Sequence, residues 1–364
     1  MARVRPVGDW IADRYEIFAV YKGGMGVVYV AHDHLGPPGR EVVAIKTLRD
    51  EWLAQEDWSA RFAAECQIWV QLGSHRNIVH ANSVETFDGR PHIVLELVNG
   101  GDLKRRIGTP ELDLKHALHL GIQFCLGMEH AVRQGLRCHR DVKPGNLMVA
   151  GDGTLKITDF GLAVIRDERC AGPAPEIELV PDEVIPLDEV TLPGRITYDD
   201  PADRPPPFAD DFQGADAAAQ TVAFPRHGGP TPGGEATLRI TQTGSLMGTI
   251  LYMAPEQFRD AKAVDIRADI YAFGVVLFEM LTGKLPFRGG TIARLDRAHA
   301  HYAPPSVVPS IPRKHAREAR AIDEIVQRCL RKDPADRFAS MKDFRRALTR
   351  TLRRIDPGFD PYSG

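Results

Sequence analysis

Short, largely apolar runs occupy the first part of the chain, and apolar positions later recur at helical spacing. Tyr15 to Val20 and Val27 to Ala31 read as two strands around the turn Lys22-Gly23-Gly24-Met25-Gly26. Val43-Ala44-Ile45-Lys46 and His92-Ile93-Val94-Leu95-Glu96-Leu97-Val98 read as further strands. Phe62, Ile68, Trp69 and Leu72 give the apolar stripe of a helix over about Ser59 to Leu72. Leu114, Leu118, Ile122, Cys125 and Leu126 then mark a long buried helix. A short hairpin follows, with Leu147-Met148-Val149 and Leu155-Lys156-Ile157 joined by Gly151-Asp152-Gly153. Strands first and helices afterwards predict an α+β fold.

The chemistry-bearing residues flank that hairpin. His139-Arg140-Asp141-Val142-Lys143-Pro144-Gly145-Asn146 precedes it and Asp159-Phe160-Gly161 follows it. Two carboxylates, an amide and a lysine at this spacing suit phosphoryl transfer, which needs an acid to orient a hydroxyl and oxygens to hold metal. Lys46, ending a β-branched strand, is costly to bury unless its ammonium meets negative partners.

These motifs, in this order, resemble the eukaryotic-type (Hanks-type) serine/threonine protein kinases found in bacteria, over about Arg14 to Arg353. The resemblance implies a two-lobed protein-kinase-like fold, a small antiparallel sheet lobe with one major helix above a larger, mainly helical lobe. It implies ATP with Mg2+ (or Mn2+) as cofactors and proteins bearing Ser or Thr as substrates. Asp141 would act as base and hydroxyl orienter, Lys143 would neutralise the transferring group, and Asn146 and Asp159 would bind metal. Glu65 has the helical phase of the carboxylate that pairs with Lys46; Glu56 and Asp57 are rival acids nearer the helix start. Gly23, Gly24 and Gly26 would approach the phosphates, although Tyr21 stands where the family has its first glycine, so that turn must differ. Val28, Ala44 and Met148 would pack the adenine ring, and backbone near Glu96 and Val98 would bind its edge. Asp102 either meets the ribose or caps the helix beginning at Leu103.

By the same resemblance, Thr249 in Gly248-Thr249-Ile250-Leu251-Tyr252-Met253-Ala254-Pro255-Glu256 would bond Asp141 and Lys143. Glu256 would pair with Arg337, Asp269 would hold the catalytic-loop backbone, and Trp69, Ala81, His139 and Phe160 would form a column between the lobes.

The 364 residues divide by expectation into an N-terminal extension (1–13), a small lobe (14–98), a large lobe (99–354) and a tail (355–364). Residues 167–236 form an insert rich in Pro, Asp, Glu, Ala and Gly, too poor in apolar residues to order itself. It reads either as a tolerated surface insertion or as a regulator of substrate access. Beyond it, Thr241 and Thr243 are candidate autophosphorylation sites, with Arg140 a ready phosphate partner; self-association would let one copy modify another. A net charge of −3 gives no basis for nucleic-acid binding through charge. Five scattered cysteines, no apolar signal region and no run long enough to span a bilayer predict a cytoplasmic chain. Two rivals to an active protein kinase are a nucleotide-binding pseudokinase scaffold and a small-molecule phosphotransferase. The intact set Lys46, Glu65, Asp141, Asn146 and Asp159 argues against the first, and the segment Gly248 to Glu256 against the second.

Overall fold

The first strands form a single antiparallel sheet. β1 (Trp10–Ile11), β2 (Tyr15–Lys22), β3 (Gly26–Asp33), β4 (Val42–Leu48), β5 (Ala81–Phe87) and β6 (Arg90–Glu96) lie in the order β1-β2-β3-β4-β6-β5. In this computed structural model residues 4–22, 26–38, 41–49, 56–160, 164–165, 248–259, 264–289 and 291–360 are described, without the side chains of 56–61, 64–65 and 164–165. The insert 167–236, Thr241, Thr243, Gly23, Gly24 and Cys170 lie outside the described residues.

Register separates the two faces of the sheet. Val28 pairs with Lys46 and Val30 with Ala44, so these four side chains share one face. The opposite face carries Tyr15, Ile17, Val27, Tyr29, Val43, Ile45 and Val94 in a buried cluster of its own. Residues read as an N-terminal extension help to close that cluster. Trp10 and Ile11 pair with Glu16 and Tyr15, and Ile11 is buried with them, so the sheet starts ahead of residue 14. β2 also runs further than its pattern predicts. A bulge between Ile17 and Ala19 shifts the register, and Tyr21 stays extended opposite Val28.

The helix α1 (Glu56–Gln71) begins earlier than predicted, which puts Glu56 and Asp57 in its first turn. α2 (Leu114–Arg133) starts at Asp113, whose Oδ1 accepts from His116 N at 2.9 Å. β7 (Leu136–Cys138), β8 (Leu147–Val149), β9 (Leu155–Ile157) and β10 (Val164–Ile165) follow; β8 pairs with β9 as the predicted hairpin and β7 with β10. Next come α3 (Pro255–Arg259), α4 (Ile266–Thr282), α5 (Ile292–His301), α6 (Ala316–Cys329) and α7 (Met341–Ile355). α4 is capped by Asp265, and Asp269 lies inside its first turn.

Phe124 of α2 stacks on Phe273 of α4 with ring centroids 4.0 Å apart, and Phe344 of α7 meets Phe273 edge-on at 6.0 Å. One continuous apolar cluster runs from Leu48, Phe62 and Trp69 of the sheet lobe through Leu147 and Phe160 to these helices. Phe160 bridges the two parts, 5.7 Å from Trp69 and 4.7 Å from His139. Trp69, Phe160 and His139 of the expected column are therefore in contact, and Ala81 is buried in the same cluster as Trp69 and Phe160. Among the described residues no helix is long and apolar enough to cross a membrane.

Candidate active site

Two residues of the site adopt a left-handed backbone, Arg140 at φ +69° and Asp159 at φ +60°. Side chains pay for this conformation in strain, and it survives only where surrounding contacts dictate it. At Arg140 the contacts come from Asp269, which is 1% exposed; its Oδ2 accepts from His139 N at 2.8 Å and its Oδ1 from Arg140 N at 2.9 Å. Burial pushes the Asp269 carboxyl up to about 6, against the pull of His139, the two amide donors and Arg140. Gln257 adds a clamp that sequence reasoning missed, donating to Arg140 O at 3.1 Å and accepting from Ala254 N at 2.9 Å. Asp269→Asn should leave one buried amide without an acceptor, a local cost of about 1–3 kcal/mol. The catalytic loop then loses its shape, so kcat should fall more than the melting temperature warrants. Unchanged kcat in a folded Asp269→Asn protein would show that the loop holds itself.

The clamped loop presents Asp141 with both oxygens engaged. Thr249 Oγ1 donates to Oδ1 at 2.9 Å, while Lys143 Nζ (2.9 Å) and Asn146 Nδ2 (2.8 Å) donate to Oδ2. Lys143 Nζ also donates to Thr249 Oγ1 at 2.8 Å, closing a ring of hydrogen bonds. Both contacts expected of Thr249 are thus present, although it lies 108 residues from Asp141. The hairpin β8–β9 sets the amide opposite the second acid, because Thr158 N donates to Asn146 O at 3.0 Å and Asp159 follows directly.

Lys46 Nζ bonds Asp159 Oδ1, an ion pair between the sheet lobe and the hairpin. Burial opposes ionisation of Asp159, but Lys46, with Lys143 and His139, outweighs it and holds the carboxyl below its ordinary value. Glu65 lies on α1 as expected; its side chain is outside the described residues. Val28, Ala44, Val98 and Met148 are half-buried, and the last three pack at the edge of the main core. Gly26 is needed on steric grounds, since a Cβ would come within 2.8 Å of Thr47 O.

Beyond β6, Gly100 and Gly101 have a packing reason. A Cβ on Gly100 would overlap Val149 O, and Gly101 O accepts from Val149 N at 2.9 Å. Asp102 takes the capping alternative, accepting from Arg105 N at 3.2 Å. The Glu96 carboxylate is held by Lys156 Nζ at 2.7 Å and His80 N at 2.8 Å. This pair was not foreseen, although alternation on β9 does point Lys156 away from the buried Leu155 and Ile157.

The donor set fits a magnesium ion carried in with nucleotide. Among the described residues no group of three or more His, Cys, Asp or Glu could hold a metal alone. Magnesium, however, usually takes one or two protein oxygens and completes its shell with phosphate and water. Asp159 supplies a carboxylate. With Asn146 Nδ2 committed to Asp141 O and Oδ2, Asn146 Oδ1 is the atom left for a cation.

The buried and half-buried contacts so assembled define a kinase-like catalytic loop, and sequence comparison agrees. The protein kinase domain family matches residues 19–171 and 234–348, and the chain belongs to that family. Among curated proteins it is similar to the probable serine/threonine-protein kinase PknB of Lactococcus lactis, 28% identical over 342 residues, covering 93% of this chain and 42% of that protein. It is also similar to the serine/threonine-protein kinase PrkC of Bacillus subtilis (29% over 342 residues; 93% and 40%) and to Pkn1 of Myxococcus xanthus (29% over 334 residues; 90% and 36%). The chain thus spans about two fifths of the length of these relatives.

Proposed function

We propose that this chain transfers the γ-phosphoryl group of ATP to Ser and Thr hydroxyls of protein substrates. The observation that carries the reading is the Asp141 carboxylate, held by Lys143, Asn146 and Thr249 across the hairpin from an Asp159–Lys46 pair. Asp141 orients the acceptor hydroxyl and takes its proton as the new O–P bond forms and the bond from the γ-phosphorus to ADP breaks. Lys143 offsets charge on the group in transit. Lys46, with Glu65 as its partner on α1, holds the nucleotide's phosphates. Magnesium or manganese, when bound, neutralises phosphate charge; Asn146 and Asp159 are the residues we assign to it. Val28, Ala44 and Met148 would enclose the adenine, with backbone at Glu96 and Val98 at its edge and Gly23, Gly24 and Gly26 over the phosphates.

A scaffold that binds nucleotide without turnover has no need of this hydrogen-bonded ring, which favours the catalytic reading. We keep the division at residues 98 and 99 between lobes and the insert at 167–236 as proposals. Thr241 and Thr243 remain our candidate autophosphorylation sites. Arg140 supports them, because its buried Nε has no hydrogen-bond partner among the described residues. The four described cysteines are unbridged, which suits a cytoplasmic location.

Incubation of the purified chain with radiolabelled ATP, Mg2+ and Ser/Thr peptides, with phosphosite mapping, tests the reading; absence of transfer returns the scaffold. The partnership of Lys46 and Glu65 has its own check. Once Lys46→Met is in place, Glu65→Gln should cost little further activity, whereas fully multiplicative losses would assign the carboxylate elsewhere.

A further inference from the structure

A cavity of about 840 Å³ lies between α2, the segment that precedes it, the β8–β9 turn, the segment after α1 and helix α7. None of the residues assigned to phosphoryl transfer lines it. Its volume is within the range of built ligand sites. The floor is apolar and preformed. Leu112, Leu120 and Val149 are buried there, and two lining amides bond one another and the hairpin. Asn77 Nδ2 donates to Gln123 Oε1 at 3.0 Å and to Leu155 O at 2.9 Å, while Gln123 Oε1 also accepts from Leu155 N at 2.7 Å.

The walls are basic. Five cationic side chains (Arg76, Arg106, Arg133, Lys342, Arg345) face three carboxylates (Glu111, Glu129, Asp152). Glu129 is taken by Arg345 at 2.6 Å, and Asp152 lies 3.8 Å from Arg76. Arg133 and Lys342 are exposed, and no carboxylate pairs with either among the described residues. Two of the three lining histidines sense the surplus. Burial first, and then His130, Arg133 and Lys156, hold His75 down to about 4; burial, His116 and Arg76 lower His119. Uncharged imidazoles over a leucine floor, with cations at the rim, suit a ligand with both apolar side chains and carboxylates. A free phosphate would meet the rim and leave the floor uncovered.

We propose that this cavity is a docking site for acidic peptide segments bearing apolar side chains, carried by the proteins that the kinase phosphorylates. The inference rests on the protein-kinase reading for its purpose, though not for the binding itself. Docking away from Asp141 would tether a substrate and raise the effective concentration of its acceptor hydroxyl without any demand on the residues beside that hydroxyl. Charge complementarity speeds encounter and makes it sensitive to salt.

The probe is a fluorescein-labelled peptide, Glu-Glu-Leu-Pro-Glu-Leu-Glu-Glu, titrated by anisotropy against the full chain. Saturable binding is expected, weakened by salt and by a Leu→Ser version of the peptide. The double variant Arg133→Glu/Lys342→Glu changes only exposed, unpaired positions and should keep its melting temperature while binding about tenfold more weakly. Fusing the acidic segment to a Ser-containing acceptor peptide should lower KM for the native chain and leave it unchanged for the variant. Both proteins should treat the acceptor alone alike. Absent binding, binding indifferent to charge reversal, or displacement by a non-hydrolysable ATP analogue would overturn the proposal. So would displacement by inorganic phosphate or citrate combined with equal affinity for the Leu→Ser peptide, which would mark a small-anion site. If the acceptor alone is never phosphorylated, the catalytic reading fails, and the anisotropy result still decides whether the cavity binds acidic peptide.

Discussion

Asp141→Asn is expected to lower kcat by about 10²- to 10⁴-fold while ATP binding and the melting temperature stay near those of the native chain. The hydrogen-bonded ring explains why the variant should fold. An amide can turn its oxygen towards Lys143 Nζ and Asn146 Nδ2, the two donors that now meet Oδ2. Its nitrogen then faces Thr249 Oγ1, a hydroxyl able to accept where it now donates. Geometry is kept and only the proton acceptor is lost. Radiolabelled transfer, calorimetry with ATP and a thermal melt separate these quantities. Near-normal transfer would remove Asp141 from the chemistry and revive the scaffold.

The largest stability effect should come from Glu256→Ala. Arg337 is fully buried, and all five of its N–H donors are used. Nη1 and Nη2 donate to the two Glu256 oxygens at 2.6 and 2.8 Å. Nε bonds Arg331 O at 2.8 Å, and the remaining donors reach Arg267 O at 2.9 Å and Lys332 O at 3.0 Å. The guanidinium also lies 4.8 Å from the centre of the Tyr271 ring. Deleting the carboxylate leaves a buried cation compensated only by carbonyls, at a cost of about 3–5 kcal/mol. That is a large share of the roughly 5–15 kcal/mol by which a domain is stable. Thermal unfolding should register a drop of many degrees. The pair Glu256→Leu/Arg337→Met should recover much of it, since no charge is then stranded. A fall in stability below about 1 kcal/mol in Glu256→Ala would show that water reaches Arg337.

Features whose causes are local could be read from the residues in order. Asp141, Lys143 and Asn146 lie within one short loop, so their chemistry is readable in a line of letters. The β8–β9 hairpin follows from apolar strands around Gly151-Asp152-Gly153, and β4 follows from a run rich in β-branched residues (Val42, Val43, Ile45, Thr47). Thr249, Asp269 and the Glu256–Arg337 pair were reachable through resemblance, because their positions sit in motifs with a fixed order. Other features had no linear signature. The bulge in β2 and the pairing of Trp10 with Glu16 depend on how strands meet, not on what either strand contains. Gln257 and Lys156 are ordinary polar residues until the fold brings them to Arg140 O and Glu96. The capping choice of Asp102 was balanced in sequence and settled by the position of Arg105 N. The basic cavity is the clearest case, assembled from five separated segments that share no pattern. Periodicity encodes which face of an element is buried, while tertiary packing alone decides which distant polar groups share a site, because their energies depend on distances that no local spacing sets.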